Sequence, residues 1–251
     1  MEAIIKASGI LLFGLSACTW LGKPTTLNER RPLDLTGITK LEVVGIAGNF
    51  SVLRGTTSIL SIQGVGRVAV SSERLGTTMR VTSTGDTNCY PCTVDIEIQV
   101  VQPLELQLEA SNGNITVTDA ATSAKLESGN GTIRVVGATN VAAKTSNGEI
   151  FAANLKGSAI LASSNGKITL ENTVLPASSQ NSMLTKNGDL RIKNVTTSGG
   201  FVIRGNSSQS TFLLTGFALQ TGINSFTATR AGENLTTLML ETNNGSIQIN
   251  P

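Results

Sequence analysis

The side chains best placed to do chemistry in this chain are its three cysteines, because it contains no histidine. The commonest general base and the commonest metal ligand are therefore missing. Two of the cysteines stand close together in Asn88-Cys89-Tyr90-Pro91-Cys92-Thr93. A thiol pair at this spacing can close a local disulfide, exchange electrons or help hold a metal. Redox exchange of the thioredoxin kind needs the second cysteine to open a helix. Here Thr93-Val94-Asp95-Ile96-Glu97-Ile98-Gln99-Val100 follows and alternates as a strand does. Haem attachment would need histidine at position 93, and zinc would need two further ligands. In an oxidising compartment Cys89 and Cys92 read first as a structural disulfide. A redox-active pair, or one left unpaired or metal-linked, is the alternative.

Cys18 has a different setting. A weakly positive start at Lys6 precedes an apolar run from Ala7 through Ile10-Leu11-Leu12-Phe13 to Leu15. The run falls short of the roughly 20 residues that span a bilayer and suits the apolar core of a signal peptide. It ends in Leu15-Ser16-Ala17-Cys18, which resembles the bacterial lipobox, where small residues precede a cysteine whose thiol receives diacylglycerol. The resemblance implies a signal peptide over 1–17 and lipidation of Cys18. It also implies a membrane-anchored protein of the bacterial cell envelope, in the periplasm or at the cell surface. The stretch from Thr19 to Pro32 has no periodicity and reads as a tether, which we place at 18–34.

The remaining polar residues do not assemble a catalytic set. Asp119 and Asp189 stand alone, and Glu105, Gln107 and Glu109 alternate with leucines as a solvated strand face does. Polysaccharide lyases and hydrolases on repetitive β folds cluster acids, often with Lys or Arg and calcium. The calcium-binding Gly-Gly-x-Gly-x-Asp repeat is absent. No catalytic, cofactor or metal site is expected, and a polysaccharide-acting enzyme is the least favoured reading. Charged residues make up only 14% of the chain and the net charge is +2, with no basic block to track a phosphate backbone. Nucleic acid is therefore not an expected partner.

What must position any functional side chain is a repeat. From about residue 104 a unit of the form Asn-Gly-x-Ile-x-Val recurs, at Asn112-Gly113-Asn114-Ile115-Thr116-Val117 and Asn130-Gly131-Thr132-Ile133-Arg134-Val135. It returns at Asn147, Asn165, Asn187 and Asn244, with Asn206 and Asn224 as degenerate copies. Successive asparagines are 18, 17, 18, 22, 19, 18 and 20 residues apart, the fixed period of a solenoid. Three residues after each Asn come Ile115, Ile133, Ile150, Ile168, Leu190 and Ile247; four before come Leu108, Leu126, Ala143, Leu161, Met183, Val202 and Leu240. These columns face inward. A coil of about 18 residues encloses a space only about one side chain deep from each wall, which fits a chain with 39% hydrophobic but only 4% aromatic residues. Asn-Gly supplies a corner, since both residues tolerate positive φ and stacked amides can bond from coil to coil. Outward columns alternate in sign, Glu127 then Lys144, and Glu149, Lys167 and Asp189. The expected fold is all-β, a right-handed parallel β-helix over 35–251. An antiparallel meander with one Asn-Gly hairpin per repeat is the alternative.

One outward column could bind. Four residues after each Asn come Thr116, Arg134, Phe151, Thr169 and Arg191, so a phenylalanine flanked by two arginines could stack on a sugar or anchor a partner chain. The bland reading, one exposed Phe on a large surface, stands beside it.

With its opening Leu41-Glu42-Val43-Val44-x-x-Ala47-Gly48-Asn49-Phe50-Ser51-Val52, the approach through Pro103 and the Asn-Gly-x-Ile coils, the chain resembles the bacterial "putative adhesin" family of extracytoplasmic β-strand-repeat proteins. The resemblance runs from about Gly37 to Asn250 and implies a parallel β-helix in the cell envelope. Two functions follow as expectations. One is a lipid-anchored, non-enzymatic, adhesin-like module that binds an envelope protein or polysaccharide. The other is a structural envelope protein that self-associates through its coil ends, of which the terminal strand Ile247-Gln248-Ile249 is one.

Overall fold

The computed structural model describes residues 26–85, 92–207 and 209–250. The apolar run, Cys18 and Cys89 lie outside them. The described residues form two mixed sheets. The chain opens with β1 (Thr26–Pro32), β2 (Lys40–Ala47), β3 (Phe50–Arg54), β4 (Ile59–Val65), β5 (Val68–Leu75), β6 (Thr78–Gly85) and β7 (Thr93–Val100). Strands of the repeats then alternate between the sheets: β8 (Leu104–Asn112), β9 (Ile115–Thr118), β10 (Ala121–Asn130), β11 (Ile133–Val136), β12 (Asn140–Asn147), β13 (Ile150–Ala153), β14 (Ala159–Asn165), β15 (Ile168–Leu175), β16 (Gln180–Asn187) and β17 (Leu190–Thr197). The chain closes with β18 (Phe201–Asn206), β19 (Gln209–Phe212), β20 (Ala218–Thr221), β21 (Ser225–Arg230), β22 (Thr236–Asn244) and β23 (Ser246–Asn250).

One sheet has eleven strands in the order β1-β4-β7-β3-β9-β11-β13-β15-β17-β23-β19; the other has twelve, β20-β21-β18-β22-β16-β14-β12-β10-β8-β2-β6-β5. Across the repeats every pairing is parallel and equivalent residues meet, as with Ile115, Ile133, Ile150 and Ile168. Pairing is antiparallel only at the flanks: β4 between β1 and β7, β5 on β6, and β21 between β18 and β20. An antiparallel meander therefore does not describe the repeats, and a uniformly parallel stack does not describe the ends. The expected tether also ends early, because Thr26–Pro32 pairs with β4 and Leu33 is buried.

Corners explain why equivalent residues meet. A Cβ on Gly131 would overlap the carbonyl of Gly113, and one on Gly148 would overlap that of Gly131. Glycine is needed for close approach of backbone to backbone, and of the Asn-Gly corner glycines Gly113 (155°) has the positive φ expected there; otherwise positive φ is found elsewhere. It occurs at the opposite corner, at Asp119 (52°), Gly137 (74°), Asn154 (54°), Asn172 (48°) and Asn194 (52°). Each corner asparagine donates from Nδ2 to Oδ1 of its neighbour: Asn130 to Asn112 at 2.6 Å, Asn147 to Asn130 at 2.7 Å, Asn165 to Asn147 at 2.8 Å, Asn187 to Asn165 at 2.7 Å. Inside the corner runs a second ladder. The hydroxyls of Ser128, Thr145, Ser163 and Thr185 donate to the carbonyls of Gly113, Gly131, Gly148 and Gly166. Such hydroxyls are buried, and each bond contributes about 1 kcal/mol net while sparing a larger desolvation cost.

Sequence order and spatial order part company at both ends. Asn187 accepts its next amide from Asn244, 57 residues on, at 2.8 Å. The C-terminal β22 and β23 thus lie inside the stack, between β16–β17 and β18–β19. The last strand is not an open end, contrary to expectation. At the other end β2 and β3 are sandwiched between β6–β7 and β8–β9. Asn206 and Asn224 are not rungs of the asparagine ladder. Asn206 faces Glu241, and the next pairing is Gln209 with Ser246, so a shorter corner without Asn-Gly faces Thr242-Asn243-Asn244-Gly245. Val202 accordingly pairs with Thr237, and Gly205 takes the inward place opposite Leu240, where the Phe226 ring fills the missing volume.

Two substitutions follow from this packing. Ile133 is fully buried between Ile115 and Ile150, whereas Arg134 is exposed. Ile133→Asp should cost several kcal/mol, against a whole stability of about 5–15 kcal/mol for ordinary domains. Arg134→Asp should change the thermal midpoint little. Gly148→Ala should be destabilising although alanine normally gains about 0.4–1 kcal/mol through the unfolded chain. Gly85→Ala, with only ordinary contacts around its Cβ, should be close to neutral in the same denaturant titration.

Candidate binding face

The outward column of the shorter sheet is assembled as a contiguous strip. Thr116 pairs with Arg134, Arg134 with Phe151, Phe151 with Thr169 and Thr169 with Arg191. Strand alternation turns these five out while Ile133, Ile150 and Ile168 turn in. The Arg134 guanidinium lies 4.3 Å from the centroid of the Phe151 ring, a cation–π contact that occupies one face of the ring. Phe151 is half-buried, and Thr169 beyond it is only 5% exposed. Arg191 is separated from Phe151 by Thr169. The expected phenylalanine flanked by two arginines is therefore a phenylalanine capped by one, with the second exposed two coils away, beyond Thr169. What the strip offers a partner is chiefly the Arg134 and Arg191 guanidinium groups and the rim of the Phe151 ring.

The longer sheet carries a second outward surface that the reading of one column missed. Gln107, Lys125, Ala142 and Ile160 are consecutive register partners. Small Ala142 leaves a shallow groove of about 260 Å³ between Lys125 and Ile160, also lined by Asn140 and Ser158. Its signal in the sequence was the dip in side-chain size at Ala142, in the column five residues before each repeat asparagine.

Of the isolated acids, Asp189 has partners that explain it. Asp189 Oδ1 accepts from the Ser246 backbone N–H at 2.7 Å and from its hydroxyl at 2.8 Å, and Asp95 Oδ1 accepts from Asn49 N–H at 2.8 Å. Asn49 and Asn114 do the same for Asn114 and Thr132. These Asx side chains hold the backbone of the neighbouring coil at one corner. Glu42 is gripped by Lys40 at 2.8 Å and Arg80 at 2.9 Å, which ties β2 to β6 where chain order inverts. Its carboxyl is held below the usual range first by the Lys40 contact and then by Arg80. Among outward charges, Lys167 reaches Glu149 at 3.5 Å. Glu127 meets Glu109 in register on one side and Lys144 on the other, and Lys125 on its own strand supplies the ion pair at 3.1 Å. No group of three or more His, Cys, Asp or Glu able to hold a metal is found among the described residues. Cys92 directly precedes β7, and its expected partner Cys89 lies outside the described residues.

No protein-family model matches the chain. No curated protein matches it either. The chain is similar to several solved structures at low identity and low TM-score. One, a "putative cell adhesion protein" from Clostridium sporogenes, is 13% identical over 91% of this chain and 99% of that one, with a TM-score of 0.38. A "putative adhesin" from Bacteroides fragilis is 9% identical over 90% and 97%, with a TM-score of 0.43. A "putative lipid binding protein" from Parabacteroides distasonis is 11% identical over 91% and 98%, with a TM-score of 0.33.

The Asp189 corner has a pH signature. The Ser246 N–H, then the Ser246 hydroxyl and to a smaller degree the Lys167 charge hold its carboxyl below the ordinary value. A depressed folded-state pKa contributes stability that is present above the unfolded value, about 3.9, and lost as pH falls through the folded one. Asp189→Asn keeps a neutral acceptor and removes the titration. Its thermal midpoint should fall less than that of the wild type between about pH 5 and pH 2, as followed by circular dichroism.

Proposed function

We propose that this chain is an exported bacterial lipoprotein whose mature part is a right-handed parallel β-helix, anchored through Cys18 and acting as a non-enzymatic, adhesin-like interaction module of the cell envelope. The observation that carries this reading is where the chain enters the stack. Thr26, eight residues after Cys18, begins β1, the strand at one edge of the eleven-stranded sheet. An acyl anchor at Cys18 would hold that end to the membrane. The opposite edge, β19, lies ten strand spacings away, about 48 Å at about 4.8 Å per strand. Corner ladders that tie each coil to the next make such a stack stiff enough to present its two outward faces at a fixed height. Of these, the strip of Arg134, Phe151 and Arg191 suits an anionic or sugar-bearing envelope partner. We also propose that Cys89 and Cys92 form a disulfide. It would close, between β6 and β7, the corner that Asn-Gly closes in the repeats.

Two measurements on the full-length protein test this. It should take up radiolabelled fatty acid and fractionate with membranes, since three acyl chains at about 0.8 kcal/mol per buried CH₂ leave almost irreversibly slowly. Cys18→Ser should release it or leave it unprocessed; a cleaved Cys18→Ser protein that stays on membranes would sink the anchor. A photo-crosslinker at Arg191 should capture an envelope protein or polysaccharide in intact cells. Equal capture from the opposite face, with the crosslinker at Lys125, would remove the binding strip from the proposal.

A further inference from the structure

Edge strands at the two ends of the stack differ in kind. Where the chain enters, β1 carries Glu29, Arg30, Arg31 and Pro32, and β5 carries Glu73 and Arg74. Charges and proline on an edge discourage pairing with another chain. At the far end the edges are β19, Gln-Ser-Thr-Phe, and β20, Ala-Leu-Gln-Thr. From Gly205 through Thr229 the chain holds no Asp, Glu, Lys or Arg. All four residues of β20 are exposed, and its one hydrogen-bonded neighbour strand is β21. The strand overhangs the core with the outer row of its backbone groups open to pairing.

Apolar side chains near this edge divide into two sets. Leu214 and Phe217 pack against the core, and Phe217 lies 6.0 Å from Phe201, ring to ring. They close the end of the interior. Leu213, Leu219 and Ile223 are 65%, 45% and 99% exposed, and Ile223 sits in the turn from β20 to β21. The core's own closure therefore leaves this second set unused.

We propose that β20 is a self-pairing edge, through which two copies of this chain join end to end with one β20 antiparallel to the other. A two-fold contact requires one patch that complements itself, and a neutral strand laid against its own copy opposes no like charges. The same strand offers a charged partner nothing to pair with. Pairing two four-residue strands and covering Leu219 and Ile223 gives a contact well under the roughly 1,000 Å² of a stable interface. Association is therefore weak in dilute solution and rises with concentration. The coil ends do self-associate on this inference, but through β20 and not through the terminal strand, which is interior. The inference stands independently of the anchor at Cys18.

The test is cysteine crosslinking of the full-length protein in envelopes and sedimentation of the purified protein over a concentration series. Leu219→Cys with a short bis-thiol reagent should give a band at twice the chain mass, absent from the wild type and from Arg74→Cys at the charged end. Sedimentation should show a monomer–dimer equilibrium that Leu219→Lys/Ile223→Lys abolishes while thermal unfolding is unchanged. A monomer at every concentration, a dimer that survives the lysines, or equal crosslinking at Arg74→Cys overturns the proposal. A bilayer would be the occupant instead if the protein stays monomeric while a dye on Ile223→Cys reports an apolar setting on phosphatidylcholine vesicles. If the lysine variant fails to fold, the contrast between positions 219 and 74 still decides.

Discussion

Backbone meets backbone at the Asn-Gly corners with no space between for a side chain, and most of the architecture can be traced to that contact. With a glycine of one coil seated on the glycine carbonyl of the next, coils can stack only in register. Every column is then fixed. Stacked asparagines come within hydrogen-bond distance, and the residue two before each Asn, a serine or threonine in five of the coils, finds that same carbonyl with its hydroxyl. A slip of one residue would turn every inward leucine and isoleucine outward. Burial and corner geometry thus enforce the same register, one through about 25 cal/mol per Å² of apolar area, the other through steric exclusion and buried polar satisfaction. No buried side-chain nitrogen or oxygen among the described residues lacks a partner, as a dry and narrow interior demands.

Interleaving at the ends changes how such a stack can form. In a plain solenoid each coil needs only its sequence neighbour, and growth can proceed along the chain. Here β16 and β17 must wait for β22 and β23, with Asn187 and Asn244 57 residues apart, and β8 packs against β2 across an even longer stretch. Loop closure of this kind is a kinetic burden more than a thermodynamic one. In return, β22 and β23 near one end of the stack, and β2 and β3 near the other, are each held on two sides. The apolar ends are covered by Leu33, Leu35 and Ile38 at one end and by Leu214 and Phe217 at the other, so capping is done by loops and not by helices.

The sequence was most legible where one residue type does one job in every coil. Asparagine at the corner, glycine after it and an aliphatic three places on could be aligned by eye, and the structure pairs them as aligned. The opposite corner was illegible because Asp119, Gly137, Asn154, Asn172 and Asn194 share a left-handed backbone and not a letter. Short polar side chains and glycine are interchangeable there, since the requirement is conformational. Asn206 misled for the reverse reason: it has the right letter at the right interval, but without glycine after it there is no close-approach corner, and the register is set instead by Gly205 making room for Phe226. The interleaved ends were also hidden, because periodicity reports what a coil looks like and not which coil lies beside it. Of the candidate strip, the column was readable but its internal contact was not. That Arg134 would lie over Phe151 depends on which way a flexible side chain leans.

The division of labour between corners and strands bears on what such a surface can recognise. Corner positions are confined to a few residue types by sterics, and inward positions by volume. Outward positions carry almost no such restriction, and the charges show how loose it is. Glu109 and Glu127 are adjacent in register, an arrangement that costs free energy at close quarters, and Lys125 relieves it from within its own strand. Where outward side chains do interact across coils, as Lys167 with Glu149 or Arg134 with Phe151, both members are exposed or half-exposed, and exposed contacts of this kind are worth at most about 1 kcal/mol. A partner able to offer Arg134 a carboxylate, phosphate or sugar ring would therefore displace little. The register comes from the corners, and the faces remain chemically free to be rewritten without disturbing it. A scaffold with that property fits the interaction role proposed above, whereas catalysis would require several outward columns to be constrained together.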